Sequence, residues 1–202
     1  MEKFNRCSEI SEEKFEEIKN WAINPFPNGL TFDVARTETQ TKAEIRKLAN
    51  KAEKKWGNEI ICQEDNNNWT TLLGEILVRE TLKKLGKNPR VPEKINNYCP
   101  DWETDDAIWE VKTRNWTTTG TAGEKVLGVP YKYSDVPDSY KKPLCIVCVG
   151  YQEYELEYGN TRVFGDNISK NKRKFLNLAK SMKIHYIKYS KLAKQLEKQL
   201  AN

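Results

Sequence analysis

Residues 99–116, Cys-Pro-Asp-Trp-Glu-Thr-Asp-Asp-Ala-Ile-Trp-Glu-Val-Lys-Thr-Arg-Asn-Trp, gather five carboxylates (Asp101, Glu103, Asp105, Asp106 and Glu110) beside one lysine, Lys112. From Ile108 onward the run has the period of a strand. Ile108, Glu110 and Lys112 share one face, and Trp109, Val111 and Thr113 share the other. Asp105 and Asp106 have turn chemistry. If they form a two-residue hairpin loop, Thr104 pairs with Ala107 and Asp101 stands opposite Glu110. Opposed side chains on a sheet have Cβ atoms roughly 4.5–5.5 Å apart, and two like charges there are unfavourable unless something neutralises them. A divalent cation does so. Carboxylate oxygens suit magnesium, which keeps several waters and accepts phosphate oxygens as further ligands. Lys112, diagonal to Asp101 on the same face, would then position or deprotonate a water, or offset charge on a phosphate. The same residues also fit an acidic hairpin in which Lys112 only neutralises Glu110. A one-residue slip in register would turn Asp101 to the other face. Glu103 alternates onto the face of Asp101 and is its chief competitor.

Helices flank this segment. Ser11 caps a helix whose Phe15, Ile18 and Trp21 recur at helical spacing, with Asn-Pro-Phe-Pro-Asn-Gly, 24–29, as its stop. A second helix spans 41–57, with Ile45, Leu48, Ala49, Ala52 and Trp56 as its apolar stripe and Gly57 as its end. A third begins after the Asn66–Asn68 run and ends at Gly86, with Pro89 beyond. Trp69, Leu72, Leu73, Ile76, Leu77, Val78, Leu82 and Leu85 surround most of its circumference, the mark of a buried helix. Glu75 sits in its middle. It either pairs with Arg79 at i+4 or aims a carboxylate at a polar site in the core. After the acidic stretch comes a Gly-, Thr- and Pro-punctuated segment with a short helical piece near Gly123–Gly128. Residues 143–152 are an apolar, β-branched run that reads as a fully buried strand. A basic helix at 167–182, whose apolar residues are Ile168, Phe175, Leu176 and Leu178, an alternating strand at 183–190 and a closing helix complete the chain. Strands in the middle with helices at both ends predict an α/β fold, a mixed central sheet flanked by helices.

Composition narrows the chemistry. Charged residues make up 31% and hydrophobic ones 38% of 202 residues, which suits one domain. Five scattered cysteines, Cys7, Cys62, Cys99, Cys145 and Cys148, are no disulfide framework. The C-x-x-C of Cys145 and Cys148 lies in the buried strand, where i and i+3 face opposite sides. A single histidine, His185, excludes mechanisms built on histidine pairs. No run approaches the length of a membrane span, and the acidic N-terminus has no signal-peptide character, so an intracellular, cytoplasmic protein is expected. The net charge of +5 is uneven: residues 166–202 carry ten Lys and Arg against two acids. This basic tail is either a solvated face or a contact for an anionic partner.

Pro100-Asp101, followed by Glu110-Val111-Lys112, resembles the PD-(D/E)xK nuclease superfamily. A helix with an internal Glu75 before the motif, and the strand at 144–151 after it, are similar to that superfamily's core order, so the resemblance covers roughly residues 69–155. The segment from Gly120 to Pro137 is similar to type II restriction endonucleases. The resemblance implies a single restriction-endonuclease-like domain. Residues 1–60 would be an N-terminal helical extension, 69–155 the catalytic core, and 166–202 a basic helix-strand-helix. It implies that Asp101 and Glu110 are ligands of Mg2+, joined by the Val111 carbonyl and by Glu75 directly or through water. Lys112 would be the catalytic lysine. Arg114 and Lys125, which follow the site closely, either touch DNA phosphates or are solvated surface residues, and Lys132 is a further candidate for DNA binding. The implied activity is sequence-specific hydrolysis of double-stranded DNA by a homodimer. A junction resolvase or repair nuclease would share the same core. From another class, a non-catalytic DNA-binding module would use Lys170–Lys174 and the helix at 41–57.

Overall fold

The computed structural model describes residues 5–26, 41–62, 66–118 and 122–201. In chain order the elements are α1 (Glu12–Ile23), α2 (Lys42–Ile60), α3 (Trp69–Lys84), β1 (Trp102–Glu103), β2 (Ile108–Arg114), α4 (Ala122–Lys125), a 3-10 turn (Val126–Gly128), α5 (Val129–Lys132), α6 (Val136–Tyr140), β3 (Leu144–Gly150), α7 (Tyr151–Tyr158), α8 (Lys170–Ser181), β4 (Ile184–Lys188) and α9 (Tyr189–Leu200). The four strands form one mixed sheet in the order β1-β2-β3-β4. β1 runs antiparallel to β2, while β3 is parallel to both β2 and β4.

Alternation of side chains divides the core into two layers around this sheet. Trp109 and Val111 of β2 and Cys145, Val147 and Val149 of β3 pack against α1, α3 and α9. Ile108, Leu144, Ile146 and Cys148 point the other way, onto Val126, Val129, Tyr133 and Val136. β3 is buried along its whole length, as its unbroken apolar run predicts, and Cys145 and Cys148 are free thiols in opposite layers. Each fully buried Leu, Ile or Phe contributes about 1.5–3 kcal/mol. Phe15 and Ile18 of α1 belong to the same cluster as Leu73 and Leu77 of α3, so the N-terminal helix shares the central core.

The helices begin and end for local reasons. Ser11 and Thr41 cap α1 and α2, Thr41 in a reciprocal capping box with Glu44. The Pro27–Gly29 part of the expected stop lies outside the described residues; α1 has already ended at Ile23, with Asn24 as its C-cap. Gly57 does not end α2, which continues to Ile60. A Cβ there would stand 2.1 Å from the Trp69 ring, so this glycine is a slot for an indole. α2 is also turned from its expected apolar stripe. Leu48 is 58% exposed while Glu53 is 5% exposed, because the Glu53 carboxylate accepts hydrogen bonds from Trp21, Asn115 and Thr117 inside the fold. In α8, Phe175 and Leu178 are likewise exposed; Ala179 is its buried contact. Among the described residues, no helix is long and apolar enough to cross a membrane.

Candidate active site

The hairpin sets the geometry. Trp102 pairs with Trp109 and Glu103 with Ile108, and the Thr104 N–H donates to the Ala107 carbonyl across the Asp105-Asp106 turn. This is the register counted from a two-residue loop, and continuing it by one pair places Asp101 opposite Glu110. β1 stops at Trp102, so the edge of β2 is left without a strand partner from Glu110 onward. Asp101 takes that place: its N–H donates to the Trp109 carbonyl (3.1 Å), and its Oδ2 accepts from the Val111 N–H (2.6 Å).

Glu110 is 3% exposed. Its Oε1 accepts from Lys112 Nζ at 2.5 Å, and the same ammonium reaches the Val111 carbonyl at 3.3 Å. Glu110 Oε2 is buried and accepts no hydrogen bond of normal geometry, although the Tyr133 phenol interacts with this carboxyl. An orphaned carboxylate oxygen in a core is costly, and here it lies beside two further acids.

The third acid arrives on α3. Gly74 lets this helix approach β2 so closely that a Cβ would stand 1.6 Å from Thr113 Oγ1. The next residue is Glu75, whose carbonyl accepts from Trp102 Nε1 (2.9 Å), tying the helix to β1. The Glu75 carboxyl lies within the electrostatic field of Asp101, Glu110 and Lys112. The alternative partner of Glu75, Arg79, is engaged elsewhere. It pairs with Glu80 at 2.6 Å and donates to the carbonyls of Arg6 and Ser8. That clamp brings Arg6 within 3.6 Å of Asp101 Oδ1, with its guanidinium over the Trp102 ring.

Crowding acids in a buried site raises their pKa values. Burial, and then the Asp101 charge, push Glu75 up to about 8, against the pull of Arg6 and Lys112. Burial and Asp101 raise Glu110 to about 7, although Lys112 draws it down. Burial also raises Asp101, opposed by its bond from Val111. Near neutral pH the cluster therefore retains protons that a bound cation would displace. Burial, followed by the Glu110 and Asp101 charges, holds the Tyr133 hydroxyl above its usual range, so a protonated phenol flanks the acids.

The remaining acids of the stretch are engaged elsewhere. Glu103 pairs with Arg90 (2.9 Å) and Lys142 (2.5 Å). Asp105 pairs with Arg90 (2.9 Å), and Asp106 with Lys87 and the Thr104 hydroxyl. Of the expected phosphate contacts, Lys132 is exposed near the cluster and its charge lowers the Glu110 pKa. Lys125 is exposed at the end of α4. Arg114 is buried, donates to the Thr118 carbonyl and pairs with Glu155. Sequence reasoning missed Arg6 and Tyr133: neither stands in a motif, and only tertiary packing brings them to the acids.

Among the described residues, no three His, Cys, Asp or Glu side chains are arranged as a ready metal cage. The carboxylates of Asp101 and Glu110, the latter with its orphaned Oε2, and the Val111 carbonyl are nonetheless oxygen donors of the kind magnesium takes, and few are needed because that ion keeps several of its waters. The fold and site together define a mixed α/β domain with a carboxylate–lysine cluster at the edge of a four-stranded sheet. No protein-family model matches the chain, and neither a curated protein nor a solved structure matches it.

Proposed function

We propose that this chain is a magnesium-dependent, sequence-specific double-stranded DNA endonuclease of the type II restriction kind, with a restriction-endonuclease-like core, working inside the cell as a homodimer. The observation that supports this reading is the convergence of Glu75, Asp101, Glu110 and Lys112 from separate elements around the unpartnered Glu110 Oε2. An acidic hairpin in which Lys112 only neutralises Glu110 would need neither the third acid nor the orphaned oxygen.

Asp101 and Glu110, with the Val111 carbonyl, would hold the ion, and Glu75 would reach it directly or through water. A bound magnesium ion supplies Lewis-acid polarisation of a phosphate oxygen and lowers the pKa of water. Lys112, which donates to Glu110 Oε1, would direct its ammonium at charge developing on the phosphate. Glu75, which burial and Asp101 raise to about 8, would accept a proton from the attacking water once its own proton has been displaced. Water would add to phosphorus, the P–O bond to the leaving oxygen would break, and that oxygen would take up a proton from solvent water, to which Glu75 returns the one it accepted. Two protomers related by a two-fold axis would cut both strands of a symmetric sequence.

The test is incubation with plasmid and phage DNA and magnesium, with Lys112→Ala alongside. Wild type is expected to give discrete fragments and Lys112→Ala none. A lack of discrete fragments on diverse DNA defeats the restriction reading, and equal cutting by Lys112→Ala defeats the site assignment.

A further inference from the structure

Away from the acids, α2 lines an open groove of about 850 Å3 with Arg46, Lys47, Asn50, Lys51 and Lys54, and Thr117 is part of its wall. These helix positions recur at three- and four-residue spacing, so they share one face. From Arg46 to Lys54 the stripe rises about 12 Å, the axial rise of three to four nucleotides at ~3.4 Å per strand. None of the described lining residues carries a carboxylate. The acids of α2 are committed elsewhere: Glu44 to its capping box, Glu53 to the interior, and Glu59 to Lys55 at 3.8 Å.

The groove is also fastened to the strand that carries the candidate active site. Thr117 follows β2 five residues after Lys112, within roughly 17 Å at ~3.3 Å per residue. Its hydroxyl accepts from Asn50 Nδ2 (3.1 Å) and donates to Glu53 Oε2 (3.2 Å). Asn115 donates to the same oxygen at 2.8 Å. Glu53 is thus a buried tie between the α2 face and the exit of β2, and it holds the cationic stripe at a fixed distance from Lys112. Such fixed placement of charges lowers the entropy lost on binding.

We infer that the Arg46–Lys54 face of α2 is a docking track for the phosphodiester backbone of duplex DNA, set beyond the scissile position. The inference rests on the nuclease reading for the identity of the polyanion. The track contacts phosphates rather than bases, so it contributes affinity and register without sequence preference.

The experiment measures binding of a labelled duplex by fluorescence anisotropy over a range of salt concentrations, with EDTA present so that no cleavage occurs. Wild type is compared with Lys47→Ala/Lys51→Ala and with Lys191→Ala/Lys194→Ala, an equal charge change at exposed positions of α9. Both α2 lysines are exposed, and an unchanged thermal midpoint verifies that the variant is folded. The α2 variant is expected to bind roughly 10- to 100-fold more weakly at about 0.1 M salt, with the log–log salt slope shallower by about two. The α9 variant should keep the wild-type slope. The inference is overturned if the α2 variant binds as wild type does, if the α9 variant loses as much, or if wild type does not bind the duplex. Binding through α2 without any cleavage in magnesium would overturn the nuclease reading alone.

Discussion

Replacing Glu110 with glutamine should stabilise the protein above neutral pH while removing cleavage. The Glu110 carboxyl is 3% exposed, and burial, reinforced by Asp101, raises it from 4.5 to about 7. A folded-state pKa above the unfolded one means that the folded chain binds more protons between those two values. The group's contribution to stability is therefore fully present below about pH 4.5 and is lost as pH rises through about 7. At ~1.36 kcal/mol per pKa unit, a fully ionised Glu110 penalises the folded state by on the order of 3 kcal/mol. Glutamine has the same shape without the charge, and the Lys112 it leaves behind, with 32% of its side chain exposed, can turn to water. The expected net gain is about 1–3 kcal/mol at alkaline pH and almost none near pH 5. For a domain of this size that corresponds to a midpoint roughly 2–12 °C higher. Thermal melts of both proteins in EDTA at mildly acidic and mildly alkaline pH measure this directly. If Glu110→Gln is less stable than wild type by the same margin at both pH values, Glu110 is a satisfied partner of Lys112, and the reasoning fails.

Two further outcomes are expected. Magnesium should raise the thermal midpoint of wild type more at alkaline than at acidic pH, with protons released on binding, because the ion displaces protons from Glu75 and Glu110. Calorimetry in buffers of different ionisation enthalpy reads that release, and Asp101→Asn should abolish it. Gly74→Ala should destabilise the fold by about 1–3 kcal/mol by pushing α3 from Thr113. It should also lower kcat more than it raises KM, since Glu75 moves with the helix; steady-state cleavage kinetics separate the two effects.

Much of the candidate site's geometry was legible because a two-residue loop fixes parity. Once Asp105 and Asp106 form the turn, Asp101 has no choice but to face Glu110. Glu75 was only half legible. Helical spacing offers Arg79 as its partner equally well, and the choice is made by the carbonyls of Arg6 and Ser8, which draw Arg79 away. Arg6 itself was not legible, since nothing local connects it with Asp101. The buried strand β3 was plain from its composition, but α7 was not: the chain turns into it through Gly150, which takes a positive φ of 65°. In α2, local hydrophobicity pointed to Leu48 and Ala52 as core. The long-range hydrogen bonds to Glu53 outweighed it and rotated the helix, turning Lys47 and Lys51 into the groove. Arg114 falls on the same strand face as Lys112 by the period of β2, yet Glu155 of α7 folds over it.

The most direct measurement is sequencing the ends of DNA fragments produced by the purified protein in magnesium, for wild type and Lys112→Ala in parallel. A single recurring sequence at the wild-type ends, with no cut ends from Lys112→Ala, is the predicted result. Random ends, or the same ends from both proteins, would contradict a sequence-specific phosphodiesterase centred on Asp101, Glu110 and Lys112.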